Sequence, residues 1–220
     1  MSFGTDHQND ALADWLRIRS EISWPSWSDE HPVAEPPTFD GFRDFFTATR
    51  SGRDVEGTAR VLTALDRALA DAEQGAPLTF SLMANWQRIV LGRSSIAFRT
   101  MPAFAKGGRE RYGLALDTHA KFEHCLAESI RPDLPLPSRA ARTYLDVLFF
   151  HPFDDGNARA AMLALAFVLA REGVSLDLDQ VYPLQVTRWA DDAEGAADLA
   201  VLLGILISTA ERRLSNGSQS

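Results

Sequence analysis

Apolar residues recur three and four positions apart along most of the chain, the spacing that places them on one face of an α-helix. This pattern predicts helices over residues 11–22, 38–49, 60–73, 79–91, 118–130, 138–150, 160–171 and 194–212. Thr79 and Ser138 stand where N-caps are expected, because a hydroxyl can accept a hydrogen bond from the first free N–H groups of a helix. The chain is therefore predicted to be all-α apart from one segment.

That segment, residues 96–112, is apolar and rich in strand-forming side chains on both sides of Lys106-Gly107-Gly108. Paired glycines permit the positive φ of a tight turn, so the segment predicts a β-hairpin. A stretch rich in Pro, Trp and Ser from Trp24 to Pro37 predicts a surface arm. We divide the chain into an N-terminal helical extension and arm over residues 1–57, a main domain over residues 58–214, and a disordered tail over residues 215–220.

Composition narrows the class of protein. With 220 residues, 45% hydrophobic and 24% charged, the chain is typical of a soluble globular protein. Its formal charge of −8 argues against a broad surface for nucleic acid or anionic lipid, since both are bound through clustered positive charge. The longest apolar run, residues 160–170, is about half the roughly 20 residues that a membrane-spanning helix needs. We therefore expect a cytoplasmic protein that binds neither nucleic acid nor membrane.

The polar residues that carry chemistry are concentrated between two strongly apolar helices, in the string His-Pro-Phe-Asp-Asp-Gly-Asn-Ala-Arg over residues 151–159. Pro152 disfavours α geometry in the residue before it, so a helix ends there and a loop begins. Gly156 and Asn157 tolerate left-handed backbone and directly precede the free N–H groups of the next helix. Such a helix start favours a phosphate group, and Arg159 in the first turn can add a bidentate contact.

Two further residues of this string suggest a reaction. Asp155 would be unfavourable beside bound phosphates unless it held a magnesium ion between them and itself. His151 is the residue able to accept a proton near neutral pH, which predicts a general base. No P-loop pattern occurs in the sequence, so phosphates would be held by this helix start instead.

The string resembles the signature of Fic-domain proteins, His-Pro-Phe-x-Asp/Glu-Gly-Asn-Gly-Arg. The family is an all-α helical bundle with one β-hairpin flap, and most active members transfer AMP from ATP to a protein hydroxyl. The resemblance, over roughly residues 78–213, implies His151 as the base and Asp155 as the Mg²⁺ ligand, with Phe153 anchoring the loop in the core. It implies that the nucleotide is bound by Gly156, Asn157, Ala158 and Arg159.

The resemblance extends to the predicted hairpin. The run Phe98-Arg99-Thr100-Met101-Pro102 lies where the family's flap lies, which implies that Arg99, Thr100, Met101 and Pro102 bind a target by β-augmentation. The implied partners are ATP, Mg²⁺ and a hydroxyl-bearing protein or small molecule, with an antitoxin-like partner as a further candidate.

Three positions depart from the family pattern. Ala158 replaces the usual second glycine, and Met162 stands where AMP-transferring members carry a second arginine. The related Doc branch has an aliphatic residue at the position of Met162 and transfers a phosphoryl group from an inverted nucleotide. A Doc-like phosphotransferase and a catalytically silent Fic-fold binding protein are therefore the alternatives.

Val55-Glu56-Gly57 resembles the end of the family's inhibitory helix, although Gly52 stands where Ser or Thr is expected. Inhibition by Glu56 is a further hypothesis.

Overall fold

The computed structural model describes residues 10–26, 40–50 and 54–217. Within them the α-helices are α1 Ala11–Glu21, α2 Gly41–Arg50, α3 Val55–Glu73, α4 Phe80–Leu91, α5 Thr118–Ala127, α6 Leu136–Phe150, α7 Asn157–Arg171, α8 Leu178–Val181 and α9 Ala193–Gly217. Two antiparallel strands, β1 Ala103–Ala105 and β2 Glu110–Tyr112, pair with Ala103 opposite Tyr112. Short 3₁₀ turns lie at Lys106–Gly108, Glu128–Ile130 and Tyr182–Gln185. The predicted class, all-α with one hairpin, is confirmed.

Helix α7 is the central element of the core. All of residues 160–169 are buried, and α3, α4 and α6 pack around the helix. A helix that is apolar on every side must be surrounded in this way, because no face of it suits water. The string 151–159 joins α6 to α7, so both ends of that loop are held by buried helices.

The two predicted caps have different outcomes. The Thr79 hydroxyl accepts from the backbone N–H of Leu82 at 3.1 Å, so this cap is confirmed. The prediction for Ser138 is wrong: α6 begins at Leu136, with Pro137 in its first turn. Proline suits that position because the first N–H groups of a helix have no partner within it. The Ser138 hydroxyl instead donates to the carbonyl of Pro25 at 3.0 Å.

Helix α1 is attached to the rest of the molecule by buried polar contacts. The carboxylate of Asp10, which caps the helix, also accepts from the N–H of Gly113 at 2.8 Å. The indole of Trp15 is fully buried and donates to Asp146 on α6 at 2.9 Å. Helix α2 packs against α3 and α8. Most of the predicted arm, residues 27–37, lies outside the described residues.

Helix α9 differs from the sequence-based expectation in two ways. It continues to Gly217, three residues into the predicted disordered tail, and glycine is a common residue at the end of a helix; residues 218–220 lie outside the described residues. The stretch Ala193–Ala210 is also long and apolar enough to cross a membrane by length and composition alone. One face of this stretch is buried, including Leu199, Leu203 and Ile207, and α9 packs on α6. The apolar residues of this face therefore contribute to the core.

Candidate active site

The loop between α6 and α7 is closed by one side chain. Asn157, which is 3% exposed, accepts from the N–H of Phe153 at 3.0 Å and donates to the carbonyl of the same residue at 2.8 Å. Two left-handed residues bound the loop, His151 with φ +49° and Gly156 with φ +78°. The amide of Asn157 is thus used inside the loop. What this segment can offer an anion is the set of backbone N–H groups at the start of α7.

A buried platform supports the loop from below. Phe153 is 1% exposed and stacks on Phe80, with ring centroids 5.3 Å apart. Gln87 of α4 is fully buried and donates through Nε2 to the carbonyl of Asp155 at 2.6 Å. A Cβ atom on Gly156 would lie 2.5 Å from that Nε2 atom, so glycine is required there by space as well as by φ. The sequence analysis missed Gln87, whose signal was a lone polar residue on the buried face of α4.

Arg99 braces the loop on both sides of His151. Its guanidinium donates to three backbone carbonyls, those of Phe150 at 3.2 Å, Met101 at 2.7 Å and Gly113 at 2.5 Å. Its own N–H donates to the carbonyl of Pro152 at 2.9 Å. The residue is 4% exposed, and burial lowers the pKa of its guanidinium. Arg99 therefore faces the interior, which differs from the expected contact with a target.

The rest of the predicted flap lies ahead of the strands. Residues 96–102 form no strand, which corrects the predicted hairpin to residues 103–112, because the backbone here turns inward to bond the α6–α7 loop. Thr100 is exposed, Met101 is 70% exposed and Pro102 is half-buried. On β1 itself, the large apolar side chain that reaches solvent is Phe104. These side chains form the surface available to a target.

The imidazole of His151 is oriented by two contacts. Its Nδ1 lies 2.9 Å from the carbonyl of Leu148, and since a carbonyl only accepts, Nδ1 is the protonated nitrogen. The ring stacks on Tyr112 at 5.0 Å between centroids. Burial lowers the pKa of His151 below its usual 6.5. At neutral pH the ring is therefore neutral, with the lone pair of Nε2 available to accept a proton.

A cavity of about 250 Å³ lies beside this imidazole. Its walls come from α6, from Ala158 at the start of α7, from the hairpin and from the loop before α9. Asp155 and Arg159 are not among the residues that line it. The carboxylate of Asp155 is 63% exposed and lies 3.7 Å from Nη2 of Arg159. The structure thus brings His151 and Ala158 together at the cavity, with Asp155 and Arg159 on the adjoining surface.

Asp154 and Asp155 are both exposed in the loop before α7, and Asp155 is the one that lies beside Arg159. Among the described residues, no group of three His, Cys, Asp or Glu side chains comes together as a metal site. Magnesium is usually held by one or two carboxylates and completed by waters and substrate phosphates. The exposed carboxylate of Asp155, beside a helix start that favours anions, fits that mode of binding.

The hairpin is fixed to the loop before α9 by a buried carboxylate. Glu110, which is 6% exposed, pairs with Lys106 and accepts from the hydroxyl of Tyr112 and from the N–H of Ala190 at 2.8 Å. Lys106 also donates to the carbonyl of Arg188. Burial lowers the pKa of the lysine and raises that of the tyrosine. The sequence analysis did not find this cluster.

Two further positions from the sequence analysis are Met162, at the place of a second arginine, and Glu56, the hypothetical inhibitory residue. Met162 is 3% exposed, and its Sδ accepts from Nε2 of Gln185 at 3.1 Å. Glu56 lies in the first turn of α3, pairs with Arg60 and is not among the residues that line the cavity. Gly52 lies outside the described residues.

Residues 77–169, which include this whole loop and its platform, match the model of the Fic/DOC family. They form a Fic/DOC domain. The chain is similar in fold to Fic-1 from C. elegans, with a TM-score of 0.58 and 14% identity over 95% of this chain and 72% of that one. It is also similar to a Fic domain containing signaling protein from Bacteroides thetaiotaomicron, with a TM-score of 0.55 and 18% identity over 93% of each chain.

A third similar structure is IbpAFic2 in complex with adenylylated Cdc42, with a TM-score of 0.56 and 13% identity over 90% of this chain and 69% of that one. No curated protein matches the chain in sequence. At these identities the likeness establishes the fold. The Fic helical bundle therefore extends beyond residues 77–169 to include most of the chain.

Proposed function

We propose that this Fic/DOC protein transfers AMP from ATP to a hydroxyl group of a target protein. The observation that carries the proposal is the state of His151. Its Nδ1 is occupied by the carbonyl of Leu148, its pKa is lowered by burial, and its ring lines a cavity at the start of α7. A neutral imidazole with one oriented lone pair is suited to act as a general base.

The nucleotide phosphates would lie at the start of α7. The backbone N–H groups at the start of α7 and the positive end of the helix dipole favour negative charge there. Arg159 adds a guanidinium on the same side. Asp155 would hold Mg²⁺, which when bound offsets the charge of the phosphates.

In the proposed reaction the acceptor hydroxyl gives its proton to Nε2 of His151. The hydroxyl oxygen forms a bond to the α-phosphorus of ATP while the bond from that phosphorus to the bridging oxygen of the β-phosphate breaks. Pyrophosphate leaves with the electron pair of the broken bond. A positioned general base typically contributes about 10²–10⁴-fold to such a rate.

A protein target is supported by the exposed side of the flap. Met101 and Phe104 are large apolar residues that are 70% and 55% exposed. Among the described residues strand β1 pairs with β2 alone, so its outer edge is open to an extended segment, whereas β2 is also bridged to Asp10 through Arg111. The similar structure of IbpAFic2 with adenylylated Cdc42 is a Fic protein bound to a protein target.

Met162 favours a second candidate function. A buried thioether stands where a second arginine would grip the distal phosphates, and it is already bonded to Gln185. A nucleotide bound in the opposite direction would place its γ-phosphate near His151, and the hydroxyl would then take a phosphoryl group and release ADP. A catalytically silent Fic-fold binding protein would transfer neither AMP nor a phosphoryl group.

Labelled ATP separates these functions. The protein is incubated with Mg²⁺, a cell lysate and ATP labelled at either the α or the γ position. We expect label from the α position on a protein band, together with pyrophosphate. Label from the γ position with ADP would replace this proposal by phosphotransfer, and ATP binding without either label would indicate a silent protein.

The role of His151 is tested in the same assay. His151→Ala is expected to lower the rate by about 10²–10⁴-fold while ATP binding is retained. Because His151 has a positive φ, His151→Asn provides a variant better suited to that backbone. His124→Ala, an exposed histidine of α5, is the matched control. Turnover by both His151 variants at the wild-type rate would remove the base from the mechanism.

A further inference from the structure

The cavity beside His151 has a second wall that the family signature does not include. The loop at residues 185–188, just before α9, lines it and contributes the half-buried Arg188. Nη1 of this arginine donates to the carbonyl of Gly195 at 2.9 Å. Its Nε is buried and has no hydrogen-bond partner in the part of the chain that the structure describes. A buried donor without an acceptor is unfavourable, so this guanidinium lacks a partner on one edge.

The charges around the cavity leave Arg188 uncompensated. The other cation that lines it, Lys106, is paired with Glu110, and both oxygens of that carboxylate are occupied by protein donors. No ion pair joins Arg188 to a carboxylate among the described residues. Asp192 and Asp198 act on it only from a distance, and burial lowers the pKa of its guanidinium. Tyr144, also in the wall, stays neutral because burial raises its pKa.

The loop that carries Arg188 is packed on α7. Gln185, at its start, contacts Met162 through the 3.1 Å bond to Sδ. Ala158, in the first turn of α7, lines the same cavity as Gln185 and Arg188. An anion bound at the start of α7 and extending into the cavity would therefore meet the guanidinium of Arg188.

We propose that Arg188 binds a phosphate group of the nucleotide through the Nε–Nη2 edge of its guanidinium. With Nη1 held by Gly195, this edge is the planar fork that matches two phosphate oxygens. The contact supplies a positive charge to the phosphates from the cavity wall, whereas Met162, at the position of the family's second arginine, is neutral and does not line the cavity. The inference rests on the proposed function, since it assumes that a nucleotide occupies this cavity.

Calorimetric titration with two probes tests the contact. ATP with Mg²⁺ carries the phosphates, and adenosine carries the same base and sugar without them. Arg188→Gln is expected to weaken ATP binding by roughly tenfold to a hundredfold, the range for a charge-assisted hydrogen bond, and to leave adenosine binding unchanged. Arg188→Lys keeps a point charge but loses the fork, so an intermediate loss is expected. Arg17→Gln removes an exposed charge that does not line the cavity and is the control.

The outcomes separate this inference from the proposed function. Unchanged ATP binding in Arg188→Gln, in a protein whose wild type still transfers the α label, overturns only the role of Arg188. An equal loss for ATP and adenosine shows that Arg188 acts through the shape of the cavity, which also overturns it. Wild-type protein that binds ATP no better than adenosine overturns both. If Arg188→Gln does not fold, Arg188→Lys with wild-type ATP affinity is the overturning result.

Discussion

The α6–α7 loop and the β-hairpin are two walls of one cavity, and they are held by different forces. The loop is closed by the neutral amide of Asn157 and by the aromatic stack under Phe153. The hairpin is held by the buried charges of Lys106 and Glu110. Neutral hydrogen bonds within a loop depend on neighbours in sequence, whereas a buried ion pair is stable only while both partners and their other contacts are present. The loop is thus closed by an amide of its own, whereas the ion pair of the hairpin holds it in place through hydrogen bonds to the distant residues Arg188 and Ala190.

The largest effect on stability is expected from breaking the ion pair between Lys106 and Glu110. Glu110→Ala leaves Lys106 buried without its partner and should lower the free energy of unfolding by about 3–5 kcal/mol, measured by denaturant titration. Glu56→Ala breaks an exposed ion pair with Arg60 and should cost less than about 1 kcal/mol. Similar losses of unfolding free energy in the two variants would contradict the view that the Lys106–Glu110 pair holds the hairpin in place. Increased transfer by Glu56→Ala would instead support inhibition by Glu56.

Arg99 connects the two walls, and its removal should affect both. Arg99→Met leaves buried carbonyls without donors, and we expect a loss of about 1–3 kcal/mol in unfolding free energy. The positive charge of Arg99 also helps to lower the pKa of His151. Removal of this charge should therefore raise the pKa of His151 and move the acidic limb of the pH–rate profile to higher pH, with ATP affinity unchanged. A purely structural role for Arg99 would leave the pH profile where it is.

Asn157 tests whether the loop is held independently of the hairpin. Asn157→Ala should cost about 1–3 kcal/mol, because the N–H and carbonyl of Phe153 lose their partners. Asn157→Asp keeps the acceptor for the N–H of Phe153 but sets a buried carboxylate oxygen against the carbonyl of Phe153, so it should cost at least as much. Hydrogen exchange should increase over residues 152–157 in these variants and over residues 103–112 in Glu110→Ala. Equal increases over both ranges in either variant would show that the walls form one cooperative unit.

The smallest effect expected concerns pH. Because burial favours the neutral imidazole, the folded pKa of His151 lies below its unfolded value, and the base form persists below pH 6.5. The acidic limb of the transfer rate should therefore lie below that pH. The same shift means that stability decreases as pH falls from 6.5 toward the folded pKa, and this part of the decrease should be absent in His151→Asn. A limb above pH 6.5 would contradict a buried neutral base.

Structural features that depend on residues close together in sequence were predicted well. The apolar spacing located the helices, and the cap at Thr79 was found because a cap depends on the next three residues. The cap predicted at Ser138 was wrong because Pro137 suits the first turn, so that α6 begins earlier, at Leu136. The strands were predicted too long because residues 96–102 use their backbone to bond the α6–α7 loop rather than a partner strand.

The sequence by itself determined the all-α class, the presence of one hairpin and the turn between α6 and α7, since consecutive residues impose their own backbone conformation and helix start. Only the tertiary structure decided what Arg99, Gln87, Glu110 and Arg188 do. Each of these side chains acts on groups that are distant in sequence, as Gln87 does on the carbonyl of Asp155, or lines a cavity built from distant segments, as Arg188 does. Periodicity shows which face of an element is apolar. It does not show which distant polar group a buried side chain will meet, because that depends on how the elements pack.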